Sequence, residues 1–335
     1  MEKILYDILS QQNLFILFIV IAASLYILSK GADILVDEAV SLSIHWGIPK
    51  MIIGATIVSL GTTLPEASVS VMAAIGGNPD LALGNAIGSV IADTGLIIGL
   101  AAMLGKLPVD DFVIEKQGKI QFLSGIFLAV LSLPFLSRGS DGHISQWMGF
   151  VFLILLALYI YKSIYWAKKE DIQTNADFEE EKSPIYLQLF KLVIGIILVI
   201  GGSKILIPSV EVAAIKVGIP QSIIAATLVA FGTSLPELIT AITAVRKGHG
   251  ELAVGNVVGA DILNILFVIG ASASVTSKGL TVPVHFYKLQ IPTMLIILGA
   301  FRYFSKSKER EITKKEGIFL LIIYLIYIVL NYVWL

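Results

Sequence analysis

Two Pro-Glu pairs are embedded in apolar sequence. Glu66 closes the run TIVSLGTTLPE at residues 56–66, and Glu237 closes TLVAFGTSLPE at 227–237. Glu237 follows Glu66 by 171 residues, about half the 335-residue chain. The same offset carries GNAIGS (84–89) onto GNVVGA (255–260), and Gly47-Ile48-Pro49 onto Gly218-Ile219-Pro220. A carboxylate at bilayer depth costs several kcal/mol unless it is partnered, so an intramembrane acid is a functional-site hypothesis by default. Two of them at matched positions of a repeat point to one cation site assembled from both halves.

The surrounding residues agree with cation chemistry. Thr56, Ser59, Thr62, Thr63 and Glu66 recur at helical spacing, and Gly61 and Pro65 flank the hydroxyls. Proline withholds a backbone donor from the carbonyl four residues earlier, and glycine lets the chain leave helical angles. The pattern predicts a helix break with free carbonyl oxygens near Gly61 and Thr62. Bare backbone is tolerated at membrane depth only where it lines a cavity or meets protein. Thr227, Gly232, Thr233, Ser234, Pro236 and Glu237 repeat the pattern. Asn85, Ser89 and Asp93 share one helix face at i, i+4, i+8, and Asn256, Asp261 and Asn264 follow in the second half. Gly84, Gly88, Gly255 and Gly259 are expected to let neighbouring helices approach closely. The candidate ligands are all oxygens, which suits hard cations such as Ca²⁺ or Na⁺. His45, His143, His249 and His285 fall outside the motifs, and there is no cysteine. Thiolate metal sites and disulfides are therefore excluded.

These groups need a membrane scaffold. The chain is 56% hydrophobic and 15% charged, with mean hydropathy +0.86; a soluble domain carries about 25% charged residues. Ten apolar segments are predicted, at roughly 11–29, 49–76, 80–104, 119–136, 146–166, 185–208, 219–246, 251–274, 286–304 and 316–334. The first and sixth continue with helical alternation through 30–46 and 203–217. Gly76-Gly77-Asn78-Pro79 and Lys247-Gly248-His249-Gly250 are turn signals. Leu14–Leu28 lacks a basic n-region and a cleavage pattern, so it reads as a retained helix. Residues 167–184 form a polar linker between a first five-helix repeat, 1–166, and a second, 185–335; its Glu179-Glu180-Glu181 cluster reads as a solvated face. Glu66 and Glu237 each lie 17 residues past Pro49 and Pro220, ~25 Å along a tilted helix and near mid-membrane.

Seventeen of the 24 Lys and Arg fall in connections on one side, six on the other, with Lys191 inside a helix. The positive-inside rule makes the linker cytoplasmic and leaves both termini outside, in a cell (inner) membrane. Five helices per half is an odd number, so direct sequence repeats become inverted structural repeats, an architecture of transporters with sites on broken helices. The fold expected is an all-α integral membrane protein with helices 2 and 7 interrupted. Net charge −1 and the lack of basic aromatic patches give no sign of nucleic-acid binding.

With GTTLPE…GNAIGS and GTSLPE…GNVVGA at this spacing, the chain resembles the sodium/calcium exchanger family over nearly its whole length. The resemblance implies an alternating-access antiporter, not an enzyme, with Na⁺ and Ca²⁺ as cargo and no cofactor. It implies that Glu66 and Glu237 are shared carboxylates and that the Thr62 and Thr233 carbonyls complete a Ca²⁺ site. Thr63 and Ser234, with the carbonyls of Ser59 and Ala230, would form flanking Na⁺ sites. Ser89, Asp93 and Asn264 occupy the corresponding third- and eighth-helix positions, and helices 1 and 6 would be a sliding gating pair. Relative to the family's common pattern, the Asn and Asp of the third and eighth helices are exchanged at Asp93 and Asn264. Ala260 replaces a serine, and Asp261 replaces an Asn. The exchange leaves K⁺ use open, and Ala260 bears on whether three Na⁺ are carried per Ca²⁺. Three other readings remain at this point: the same fold coupled to H⁺ or K⁺, an intramembrane aspartyl hydrolase using Asp93 and Asp261, and a passive channel.

Overall fold

The computed structural model describes residues 2–110, 114–134, 141–169, 184–218, 232–307 and 310–334. Its helices are α1 (Glu2–Ser10), α2 (Leu14–Trp46), α3 (Lys50–Thr62), α4 (Leu64–Ile75), α5 (Pro79–Leu104), α6 (Lys119–Leu131), α7 (Gln146–Lys169), α8 (Ile185–Lys216), α9 (Leu235–Arg246), α10 (Gly250–Ser274), α11 (Ile291–Phe304) and α12 (Lys314–Trp334). By length and composition α2, α5, α7, α8 and α10 can each cross a bilayer, and the bent pair α3–α4 makes a sixth span. The first part of the seventh predicted segment, residues 219–231 with Ile219, Pro220, Thr227 and Ala230, lies outside the described residues. So do Arg138 and linker residues 170–183 with Glu179, Glu180 and Glu181.

Turn chemistry accounts for the helix ends. Asn13 and Asn78 accept from the amides of Ile16 (2.9 Å) and Leu81 (3.1 Å), capping α2 and α5. Gly47 and Gly218 adopt positive φ (65° and 88°) after α2 and α8, and Gly77 and Gly248 (76° and 80°) close the next two turns. Each pair is separated by 171 residues, so the sequence repeat is also a repeat of left-handed backbone.

The apolar alternation past the first and sixth segments is realised as continuous helix. At 33 and 32 residues, α2 and α8 are each ~50 Å long. They run antiparallel against one another. Leu28 meets Gly202, Gly31 meets Leu198 and Val199, and Leu35 meets Gly195; further on, Glu38 pairs with Lys191 at 3.2 Å. At the other end Leu17 clusters with Val212, Ala213 and, from α1, Leu9. The contact depends on small residues: a Cβ on Gly31 would stand 2.7 Å from Leu198 Cβ.

A second close contact positions the site. α10 is buried along nearly its whole length, and α3 lies directly on it. A Cβ on Gly54 would come within 2.5 Å of the Leu252 carbonyl oxygen, one on Gly259 within 2.5 Å of Ser59 Oγ, and one on Gly255 would run into the Met51 carbonyl. The expected close approach thus holds at Gly255 and Gly259. The residues that the repeat sets opposite Gly84 and Gly88 fall within 219–231.

Two features lie below the resolution of periodicity. Short strands β1 (Leu107–Pro108) and β4 (Glu311–Ile312) pair antiparallel, as do β2 (Gly142–Ile144) and β3 (Leu280–Val282). Two or three residues give no alternation to detect. π-helical turns occupy Gly54–Val58, Asp93–Ile97, Ile114–Gly118, Asn264–Ile269 and Phe286–Gln290; such turns are frequent at functional sites. Asp93 and Asn264, 171 residues apart, each open one.

Gly255→Ala is expected to lower the thermal midpoint in detergent, because overpacking costs about 1–3 kcal/mol. Gly201→Ala, where no described atom lies within 4 Å of the added Cβ, serves as the control and should leave the midpoint in place.

Candidate cation site

Glu66 and Glu237 are each the third residue of a helix, behind Leu64-Pro65 and Leu235-Pro236. The first turn of a helix is where an anionic side chain is favoured by the unpaired amides and the dipole. Before Glu66 the chain bends by 46° between α3 and α4, with Thr63 (φ −80°, ψ −4°) at the break. Pro65 has no N–H to give to the Gly61 carbonyl, so the predicted break is present where the Gly-Thr-Thr-Leu-Pro pattern put it.

The Glu66, Glu237, Asp93, Ser59, Thr62 and Thr63 side chains have no solvent exposure, and Ser89, Ser234 and Asn264 are buried. Glu237 faces Glu66 and the Thr62 and Thr63 hydroxyls. Asp93 faces Glu66, Glu237 and Ser234. Among the described residues, neither oxygen of Glu66, Glu237 or Asp93 has a hydrogen-bond partner. The same holds for the hydroxyls of Thr63, Ser89 and Ser234 and both amide atoms of Asn264. Buried polar groups are ordinarily paired, and a buried carboxylate without a partner is among the most costly arrangements in a protein. A cluster of such oxygens in an apolar bundle is chemically complementary to a dehydrated hard cation. Among the described residues no three acidic or histidine side chains form a metal-binding group of their own. A Ca²⁺ ion, which takes six to eight oxygens, would draw its remaining ligands from hydroxyls, amides and backbone carbonyls. His249 is remote from these acids, 3.1 Å from Lys50 Nζ.

Two hydrogen bonds cross between the halves in matching fashion. Thr233 Oγ1 donates to Asn85 Oδ1 at 3.0 Å, and Thr62 Oγ1 to Asn256 Oδ1 at 3.5 Å. Adding 171 to Thr62 and Asn85 gives Thr233 and Asn256, so each threonine is held by the other half's asparagine. Asn85 also donates to the Glu66 carbonyl (3.2 Å) and Ser70 Oγ (2.9 Å).

Asp261, also fully buried, stands apart from this centre. Its Oδ2 accepts from Thr94 Oγ1 at 2.5 Å and Gln121 Nε2 at 2.6 Å, and its carboxylate neighbours Asp93. Thr94, Gln121 and Ser70 were not singled out by the motifs. Gln121 did carry a signal, as a polar amide within an apolar segment.

A cavity of about 630 Å³ lies beside the site, its lining including Thr233, Pro65 and Pro236 and also Asp7, Lys204 and Glu211. This is the end of the bundle where α1 packs on the C-terminal part of α8. At the opposite end Lys247 joins α9 to α2 through Asp37 (2.8 Å) and Asp33 (3.4 Å), and Lys50 joins α3 to α10 through Glu251 (3.0 Å).

A bundle of apolar helices with repeat-related acids buried at its centre defines a multi-pass membrane transport protein. The family described as sodium/calcium exchanger protein matches residues 16–165 and 187–333. Sodium/calcium exchanger MaX1 of Methanosarcina acetivorans is 28% identical over 93% of this chain and 97% of its own length. Inner membrane protein YrbG of Escherichia coli is 37% identical over 73% of this chain and 76% of its own. The sodium-calcium exchanger NCX_Mj, soaked with Na⁺ and Sr²⁺, superposes with a TM-score of 0.80 at 28% identity, covering 95% of this chain and 99% of that one. The chain belongs to the sodium/calcium exchanger family, whose members are transporters, and the hydrolase reading is set aside.

Asn85→Ala should cost about 1–3 kcal/mol, since it removes the partner of the Thr233 hydroxyl, Ser70 Oγ and the Glu66 carbonyl at once. Asn256→Ala should cost less, because Thr62 Oγ1 keeps the Ser59 carbonyl at 3.4 Å. Thermal unfolding in detergent is expected to show the larger loss for Asn85→Ala; equal losses would mean that the additional bonds of Asn85 contribute nothing.

Proposed function

We propose that this protein exchanges Na⁺ for Ca²⁺ across the cell membrane by alternating access, with both ions competing for the site between Glu66 and Glu237. The observation that carries this reading is the pair of fully buried, repeat-related carboxylates with no hydrogen-bond partner among the described residues. Glu66 and Glu237 bear the charge of the cargo. The Thr62 and Thr233 carbonyls complete the Ca²⁺ shell. Thr63 and Ser234, with the carbonyls of Ser59 and Ala230, bind Na⁺ on either side, and Ser89, Asp93, Asn264 and Asp261 border the path.

The mechanism follows from electrostatics. Two carboxylates in a dry site repel each other, and closing the protein around them empty is costly. One Ca²⁺ or a set of Na⁺ ions relieves that cost. The loaded forms can therefore occlude and cross while the empty form cannot, which makes the fluxes obligatorily coupled. Three Na⁺ against one Ca²⁺ would move one net charge, worth ~2.3 kcal/mol per 100 mV of membrane potential.

We further propose ten spans in two inverted five-helix repeats, 1–166 and 185–335, joined by a cytoplasmic linker at 167–184. The antiparallel course of α2 and α8, which are repeat counterparts, favours inversion. So does the pairing of β1 with β4 and β2 with β3, since each joins connections on one and the same side of a ten-span chain. With the termini outside, the cavity beside Thr233 faces out, and the Lys247–Asp37 and Lys247–Asp33 pairs lie on the closed, cytoplasmic side. Sliding of α2 and α8 would break these pairs and open the other face.

Asp93 beside Asp261 favours a second reading of the same fold, in which K⁺ or H⁺ joins or replaces Na⁺. Calcium uptake driven by a pH gradient without sodium would decide for it.

In proteoliposomes Glu66→Gln and Glu237→Gln are each expected to abolish sodium-dependent uptake of radioactive calcium; undiminished flux in either would refute the shared site. The absence of native cysteine allows a direct topology assay. Asp7→Cys should react with a membrane-impermeant thiol reagent from outside intact cells, and Gln173→Cys only after the membrane is opened.

A further inference from the structure

Asp261 is held in a way the paired-glutamate site does not require. Thr94, from the π-helical turn of α5, and Gln121, from α6, both donate to Oδ2, while Oδ1 is buried with no partner among the described residues. Two neutral donors on one oxygen fix the side chain without supplying a countercharge. Among the described residues the neighbouring Asp93 has both oxygens buried and unpartnered; besides Asp261 it faces Glu237, Glu66, Tyr324 and the Ser234 hydroxyl. No described cationic side chain acts on either acid. The offset of 171 places Asp261 on Val90, Thr94 on Ile265 and Gln121 on Pro292. The network, which joins Asp261 of the second half to Thr94 and Gln121 of the first, therefore has no repeat-related counterpart. A packing requirement of the repeat would recur in both halves, and this one does not.

We propose that Thr94 and Gln121 are positioning residues that present Asp261, together with Asp93, as a monovalent-cation subsite one layer behind Glu66 and Glu237. The subsite offers three unpartnered carboxylate oxygens and a serine hydroxyl, too few for the six to eight ligands of Ca²⁺. With a water or a backbone carbonyl added they suit Na⁺, whose single charge offsets part of the repulsion between the two acids; the larger K⁺ would need more of either. This inference rests on the exchange reading and assigns part of its monovalent-ion requirement to residues outside the repeated motifs.

The test uses the full-length chain in proteoliposomes. Calcium flux is measured against Na⁺ concentration, with and without K⁺, and calcium/calcium exchange without either ion is the internal reference. Thr94→Val and Gln121→Leu should raise the half-saturating monovalent concentration about tenfold relative to that reference, as loss of a hydrogen bond to a charged group implies. Thr94→Ser should restore it. A shift in the Na⁺ curve alone assigns the subsite to Na⁺, and loss of a K⁺ stimulation assigns it to K⁺. The proposal is overturned if sodium-driven and calcium/calcium flux fall together in both variants, or if neither monovalent dependence moves. Wild-type protein with no sodium-driven flux at all would instead overturn the exchange reading, and this subsite with it.

Discussion

The structure turns on negative charge held without a partner in a place water does not reach. Glu66, Glu237 and Asp93 are fully buried, and among the described residues none of their oxygens accepts a hydrogen bond. A protein that needed these acids only for stability would have paired them with Lys or Arg, or replaced them with apolar groups at little cost. Lysines are present, but Lys247, Lys50 and Lys191 bind acids elsewhere, at helix ends and between α2 and α8. In the proposed exchange, compensation at the centre is left to the cargo, and the coupling of the two fluxes is a consequence of that arrangement.

Holding such a centre requires a scaffold that is rigid around the buried acids. Glycines at 54, 255 and 259 bring the backbones of α3 and α10 into contact. The crossed Thr233–Asn85 and Thr62–Asn256 hydrogen bonds tie Thr62, at the bend between α3 and α4, to α10, and Thr233, ahead of α9, to α5. Neither half is complete alone, because each supplies the threonine and borrows the asparagine. The two long helices α2 and α8 meet the same centre more lightly. Ile196 lies against Gly61 and Ile207 against Gly232, so apolar side chains abut the two repeat-related glycines. Contacts of that kind resist sliding less than hydrogen bonds do, which suits a moving pair against a fixed core.

Departures from symmetry matter as much as its presence. The π-helical turns at Asp93 and Asn264 are alike in backbone but differ in charge, a carboxylate opening one and a neutral amide the other. Asp261, Thr94 and Gln121 have no counterparts of like chemistry. The acids thus extend away from the shared pair toward one half, and two faces built from a common plan need not bind the same ions.

Much of this could be read from the residues. The repeat, the broken helix at Gly61–Pro65, the buried pair Glu66 and Glu237, the continuation of the first and sixth helices and the left-handed glycines all follow from local rules of proline, glycine and hydropathy. Those rules act within a few residues, and each signal was written twice. What they could not supply was partnership across the chain. Which asparagine holds which threonine, that Gln121 reaches Asp261 from α6, and that two- and three-residue strands pair between distant connections are decided by tertiary packing, because such contacts carry no periodicity and join residues more than a hundred positions apart.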